Sequence, residues 1–267
     1  MSRSLVRRIA GRLMPSLVWR VVGRDRLQPS MFSGVFPAFE DVSDQRPWGQ
    51  ASYLEASRTL LHECQRGQMP PFSHTTQALL ALIINGWPAG TPLILDWAGG
   101  TGIRYWAGRR LFMRAVRWMV IDRPELAALS HEVMGPSTEL TFTSALPEPG
   151  TVDVGIVLVY SSLQYVEDQT EMLQTLARYQ ARFIVLARLM AHPEASYVTR
   201  QLVHGHTTPC KVADLREVVS TMEHQGYRQL LSMEDGIDLT GFFDVSVPRQ
   251  RRAGMEHLLI FKRTTGA

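Results

Sequence analysis

From residue 92 onward, short apolar runs of strand length alternate with stretches whose apolar positions recur every three or four residues. The runs are Leu93–Trp97, Arg117–Asp122, Leu140–Ser144, Val152–Tyr160, Arg182–Arg188, Tyr227–Met233 and Glu256–Lys262. The helical spacings fall over Ile103–Arg114, Pro124–Met134, Gln169–Tyr179 and Val212–Gln225. Buried strands separated by amphipathic helices predict an α/β fold, with a mainly parallel sheet of about seven strands covered by helices on both faces.

Upstream of residue 92 the pattern changes. Helical periodicity covers Tyr53–Glu63 and, after a Pro70-Pro71 break, His74–Asn85, with Leu79, Leu80, Leu82 and Ile83 on the predicted buried side and Asn85-Gly86 as the stop. Residues 31–50 are punctuated by Gly34, Pro37 and Pro47; they are expected to be irregular and to lay Phe32, Phe36 and Phe39 onto the body. From Ser4 to Val22, apolar positions alternate with arginines as in a basic amphipathic helix. The expected division is therefore a basic arm over 1–30, a helical and irregular segment over 31–91, and a Rossmann-like domain over 92–267.

Charge sharpens that division. The chain carries a formal +3. Residues 1–30 hold seven arginines against Asp25, or +6, which leaves the rest at −3. A body of that balance argues against bulk nucleic acid as a partner. The arm can lie in the headgroup region of an anionic membrane, or pack on the body with its arginines in water. Arg12, Pro15 and Arg20 interrupt its apolar face, unlike a secretory signal. Cys64 and Cys210 stand far apart without metal-ligand spacing, so no metal site is expected and a cytoplasmic setting is the simpler expectation, with peripheral contact of the arm on the inner membrane face as the alternative to its packing on the body.

The chemistry gathers at the end of the first run, Leu95-Asp96-Trp97-Ala98-Gly99-Gly100-Thr101-Gly102. A strand that breaks into glycines just before a helix lets the backbone approach a ligand closely. In open parallel sheets, ligands bind beyond the carboxyl ends of the strands. A nicotinamide or flavin fingerprint counted from Gly100 and Gly102 would need a small residue at 105, where Tyr105 stands. An acid ahead of paired glycines resembles S-adenosylmethionine binding in class I methyltransferases. Asp122, at the end of the second strand, can accept hydrogen bonds from ribose hydroxyls or cap the following helix. Tyr160-Ser161-Ser162-Leu163-Gln164-Tyr165 emerges at the end of the fourth strand, where polar and aromatic residues line pockets. Asp168 has the position of an N-cap.

Leu95-Asp96-Trp97-Ala98-Gly99-Gly100, Val120-Ile121-Asp122-Arg123-Pro124 and Ser161-Ser162-Leu163-Gln164-Tyr165 together resemble a family of bacterial methyltransferases of provisional function. Phe32-Ser33-Gly34-Val35-Phe36 upstream, and Gln201 and Gly226-Tyr227 downstream, extend the resemblance over most of the chain after the arm. Ala98 stands where the family has glycine, and Asp122 where glutamate is commoner. The resemblance implies the class I methyltransferase fold with an antiparallel last strand, and S-adenosyl-L-methionine as cofactor. It places cofactor contacts on Asp96, Ala98, Gly99, Gly100, Gly102, Asp122, Arg123, Ser144, Tyr160 and Ser161, and a substrate pocket around Gln164, Tyr165 and Arg188. The expected acceptor is a small molecule or glycan. His192, His204 and His206 are the candidate general bases, since an imidazole titrates near neutrality. A non-catalytic binding or scaffold protein on the same fold, and less readily an NAD(P)-dependent oxidoreductase, are the alternatives.

Overall fold

The computed structural model describes residues 30–68, 74–203, 205–252 and 254–264. The arm over 1–29 and His204 lie outside the described residues. Among the described residues ten strands are formed: β1 (Phe32–Phe36), β2 (Leu93–Trp97), β3 (Arg117–Ile121), β4 (Leu140–Thr143), β5 (Ile156–Tyr160), β6 (Phe183–His192), β7 (Tyr197–Val203), β8 (His206–Asp214), β9 (Tyr227–Asp238) and β10 (Met255–Arg263). The helices are α1 (Ala51–Gln65), α2 (His74–Asn85), α3 (Ile103–Gly108), α4 (Pro124–Met134), α5 (Gln169–Ala177) and α6 (Leu215–His224).

The seven strands expected from the sequence form one sheet in the order β4–β3–β2–β5–β6–β10–β9. Pairing is parallel from β4 to β6, and β10 inserts antiparallel between β6 and β9. Chain order reverses between β2 and β5, which makes their carboxyl ends the switch point where a ligand crevice opens. All five residues of β5 are buried, as its central place requires. Two apolar clusters fill the two faces of the sheet, one around Leu95, Val157 and Leu186, the other around Ile94, Trp118 and Leu158.

Three strands were not expected. The far end of β6, Ala191 and His192, pairs with β8, and β8, β7 and β1 continue as an antiparallel extension. Residues 32–36, expected to be irregular, thus form an edge strand on β7, with Phe32 packed on Phe243 at 4.9 Å between ring centroids. Val212 belongs to β8, and α6 begins at Leu215 because Asp214 accepts from the N–H groups of Arg216 (2.8 Å) and Glu217 (3.4 Å). Asp168 caps α5 through the Glu171 N–H at 2.8 Å, the role its sequence position suggests.

Helix α3 is shorter than the apolar spacing predicted. It ends at Gly108, and the chain turns there under Phe112, whose ring stacks toward Trp118. Asn85 holds this turn by donating to the Leu111 carbonyl (3.0 Å) and accepting from the Met113 N–H (2.8 Å). On α2, Leu80 and Ile84 are buried, whereas Leu82, expected inside, is 68% exposed. Both cysteines are buried and free.

Candidate cofactor and substrate cleft

The turn after β2 is built from alternating left-handed residues. Ala98, Gly100 and Gly102 have φ of +51°, +62° and +67°. Glycine adopts this conformation freely, whereas alanine there costs about 1–2 kcal/mol. Gly102 opens α3, and a Cβ on it would come within 3.2 Å of both Val120 and Leu140, so a small residue is needed for the helix to pack on the sheet. Gly99 between them has no room for a side chain: its Cβ would lie 2.5 Å from the Asp96 carboxyl.

Asp96 is fully buried, with Trp118 Nε1 donating to its Oδ2 at 2.9 Å. Its Oδ1 has no hydrogen-bond partner among the described residues. Burial raises its pKa to about 7, opposed by the Trp118 bond and the nearby Arg104 charge. Asp122 does not cap α4. Its two carboxylate oxygens instead accept from the Gly100 N–H and the Arg123 N–H, each at 2.8 Å, which ties the glycine turn to the end of β3. Burial raises its pKa against those two bonds.

A two-lobed cleft runs along the carboxyl ends of the strands. One lobe, of about 850 Å³, lies over β3 and β4 and is lined by Asp122, Arg123, Ser144, Trp97, Ile121, Trp48 and Tyr165. The other, of about 670 Å³, lies toward β5 and β6 and is lined by Asp96, Gly99, Thr101, Arg104, Tyr160, Arg188, His206, Ser57 and Leu60. Tyr53, Ala98, Gly100 and Ser161 line both lobes and form the passage between them.

The expected site residues are thereby sorted. Asp96, Ala98, Gly99, Gly100, Asp122, Arg123, Ser144, Tyr160, Ser161, Tyr165, Arg188 and His206 line the cleft. Gly102 supports it from below. Gln164 stands behind it: its amide donates to the carbonyl (3.0 Å) and hydroxyl (3.3 Å) of Ser161, holding that residue at φ +54°. Tyr165, expected in the substrate pocket, faces the lobe of Asp122, edge-on to Trp48 with centroids 4.5 Å apart.

The histidines separate. His206 opens β8 at the mouth of the smaller lobe, with Nδ1 at 3.4 Å from Gln50 Nε2. His192 lines neither lobe. Its Nδ1 accepts from the Glu194 N–H (3.1 Å) and its Nε2 pairs with the Gln250 carbonyl (2.9 Å), so both ring nitrogens are engaged at the far end of β6.

Sequence reading missed the wall that faces the sheet. Phe39, Arg46, Pro47, Trp48, Ser52, Tyr53, Ser57 and Leu60 close the cleft from the segment before β2. Arg104, placed over the Tyr160 ring at 3.5 Å, was also missed, because a single arginine on a predicted helix carries no signal of its own.

No family model and no curated protein matches this sequence. Solved structures do. One is a provisionally assigned methyltransferase of Haloferax volcanii in complex with the Trm112 methyltransferase activator, with 15% identity and a TM-score of 0.50 over 80% of this chain and 97% of that one. Another is magnesium protoporphyrin IX methyltransferase from Synechocystis PCC 6803 with bound S-adenosylhomocysteine, at 12% identity and a TM-score of 0.48 over 81% and 89%. A third is 1,6-didemethyltoxoflavin-N1-methyltransferase of Burkholderia thailandensis, at 14% identity and a TM-score of 0.46 over 84% and 95%. The fold is the Rossmann-like class I methyltransferase fold that the resemblance implies.

Proposed function

We propose that the protein is an S-adenosylmethionine-dependent methyltransferase acting on a small-molecule acceptor. The observation that carries this reading is the joint construction of the turn and Asp122. Three left-handed residues at alternate positions open the backbone at the switch point, and the Asp122 carboxylate is fastened to the middle one. The cleft fits the cofactor on one further ground: the orphaned Asp96 Oδ1 can accept from a cation such as an amino-acid ammonium.

When bound, S-adenosylmethionine supplies an electrophilic sulfonium methyl group. The chain supplies the rest. Asp122 keeps lone pairs for two ribose hydroxyls while its N–H partners hold it still. Trp48, Tyr165, Ile121 and Trp97 give the larger lobe the apolar, aromatic walls that a purine needs. Asp96, Arg104 and Tyr160 provide the polar floor of the smaller lobe, where the methionine part and the acceptor would meet. Catalysis here is chiefly positioning for in-line displacement. His206 is the residue at the cleft mouth available to take an acceptor proton, and His192, engaged on both nitrogens, is not proposed for that role.

Calorimetry with S-adenosylhomocysteine tests the reading: the wild type should bind, and Asp122→Ala should bind far more weakly. No heat from either protein would overturn it. A nicotinamide cofactor is disfavoured by the buried Tyr105, whose hydroxyl donates to Glu139 at 2.7 Å where a third small residue would be needed. A binding-only protein would take up S-adenosylhomocysteine yet label no fraction of a cell extract from methyl-labelled cofactor. Among the described residues no helix is long and apolar enough to cross a membrane. Contact of residues 1–30 with an anionic bilayer is proposed from their charge alone, and liposome co-sedimentation with and without them decides it.

A further inference from the structure

The smaller lobe is chemically lopsided. Among the described residues it is lined by two guanidinium groups, Arg104 and Arg188, and by one carboxyl, Asp96. Arg104 belongs to the first turn of α3, close to the glycine loop. Arg188 is two strands away from that loop, on β6, in the part of the lobe farthest from Asp122.

Arg188 is held there by an unusual set of features on three strands. Between Leu186 and Leu189, β6 carries one more residue than β10 opposite, a bulge that puts Arg188 at φ +50° and turns its side chain out of the strand alternation. Glu256 on β10, 6% exposed, accepts from Arg188 Nε at 2.6 Å and Nη2 at 2.8 Å. Gly236 on β9 makes the space for that carboxylate, since a Cβ there would lie 2.2 Å from Glu256 Oε2. A buried ion pair of this kind adds little to stability over an apolar pair. A bulge, a buried acid and a glycine spent on one guanidinium therefore point to the ligand it faces. The fork shape of guanidinium matches carboxylate geometry.

We propose that the acceptor is a small organic carboxylate, held by Arg188 with Glu256 as its positioning residue. The inference rests on the cofactor reading of the cleft and adds the acceptor's charge to it. Leu60 and Ala56 on the facing wall, with Ile103 beside the glycine turn, suit an apolar body on that carboxylate.

Full-length protein saturated with S-adenosylhomocysteine is titrated with benzoate and with its neutral isostere benzamide, followed by calorimetry. Benzoate should bind at least tenfold more tightly. The single change Arg188→Met would take the guanidinium away from the buried Glu256 carboxylate at a cost to folding, so the paired variant Arg188→Met/Glu256→Gln is used. It should keep S-adenosylhomocysteine affinity within about threefold and lose the preference for benzoate. Arg188→Lys, which keeps the charge without the fork, should reduce the preference at least threefold. Equal binding of the two probes, or a preference that survives in the paired variant, overturns the proposal. So does benzoate binding that S-adenosylhomocysteine abolishes, because the anion would then occupy the cofactor's own place. Failure of S-adenosylhomocysteine to bind the wild type is a different result, which removes the cofactor reading and this inference together.

Discussion

Asp96 makes the stability of this protein depend on pH in a direction opposite to that of most carboxylates. It is fully buried, and its pKa rises from 3.8 to about 7, chiefly through desolvation. The folded chain therefore keeps a proton that the unfolded chain releases between about pH 4 and pH 7. In that window unfolding is progressively favoured as pH rises, and the penalty is fully present above pH 7. A shift of about three units corresponds to a penalty of roughly 4 kcal/mol at pH 8.5, of which roughly 1.5 kcal/mol is already present at pH 5.

Asp96→Asn isolates this effect. Its amide oxygen can still accept from Trp118 Nε1, and the neutral side chain does not titrate. The stability gap between variant and wild type should then grow in the variant's favour by about 2–3 kcal/mol from pH 5 to pH 8.5. With an unfolding entropy of about 2.1 cal/mol/K per residue, that is roughly 5 °C in the difference of Tm. Thermal melts of both proteins without ligand across this range read it directly. Other titrating groups move both proteins alike and cancel in the difference. A gap constant across the range would refute the reasoning: Arg104 would then hold Asp96 ionised throughout, despite its burial.

Three other substitutions probe the turn and its anchor. Ala98→Gly removes about 1–2 kcal/mol of left-handed strain but adds about 0.4–1 kcal/mol of unfolded-state entropy, so a Tm rise of roughly 1–2 °C is expected by calorimetry, and a fall would show that the alanine is unstrained. Gly99→Ala drives a methyl group into the buried Asp96 carboxyl, and should cost about 1–3 kcal/mol by denaturant melts as well as weaken S-adenosylhomocysteine binding. Asp122→Ala removes the acceptor proposed for the ribose and the anchor of Gly100, and should weaken S-adenosylhomocysteine roughly 10- to 100-fold by calorimetry.

The seven-stranded core was legible because each of its strands is an apolar run between turn residues, and that pattern is local. The extension was not. β7 and β8 each bury three residues in a row instead of alternating, around threonines, a proline and a histidine, which reads as loop until the two segments are seen to pair. The turn and Asp122 were legible as residues, but Asp122 could be read equally as a helix cap, since sequence does not say which N–H it reaches. The opposite wall was hidden for another reason. Trp48, Tyr53 and Ser57 face the cleft only because α1 packs across α4, through Leu61 against Leu126 and Leu129, a contact between segments some 65 residues apart. No local pattern encodes it.

Backbone strain connects the two ends of the cleft. Four non-glycine residues among those described have positive φ, and three of them, Ala98, Ser161 and Arg188, line it. Ala98 and Ser161 follow the last residues of β2 and β5, and Arg188 lies in mid-β6 next to Ala187, which pairs with the last residue of β5; the three strands are neighbours in the sheet. Each such residue costs about 1–2 kcal/mol and persists only where its surroundings hold it. Ser161 is held by its N–H bond to the Ala187 carbonyl at 2.9 Å and by Gln164 behind it. Arg188 is held by Glu256. Ala98 has only a methyl group, which offers no polar anchor, so its conformation must come from the turn on either side, which Asp122 fastens at Gly100. The Ser161–Ala187 bond also joins the residue between the two lobes to the one just before Arg188. A change at the β6 bulge should therefore be felt at Ser161 before it reaches the glycine turn.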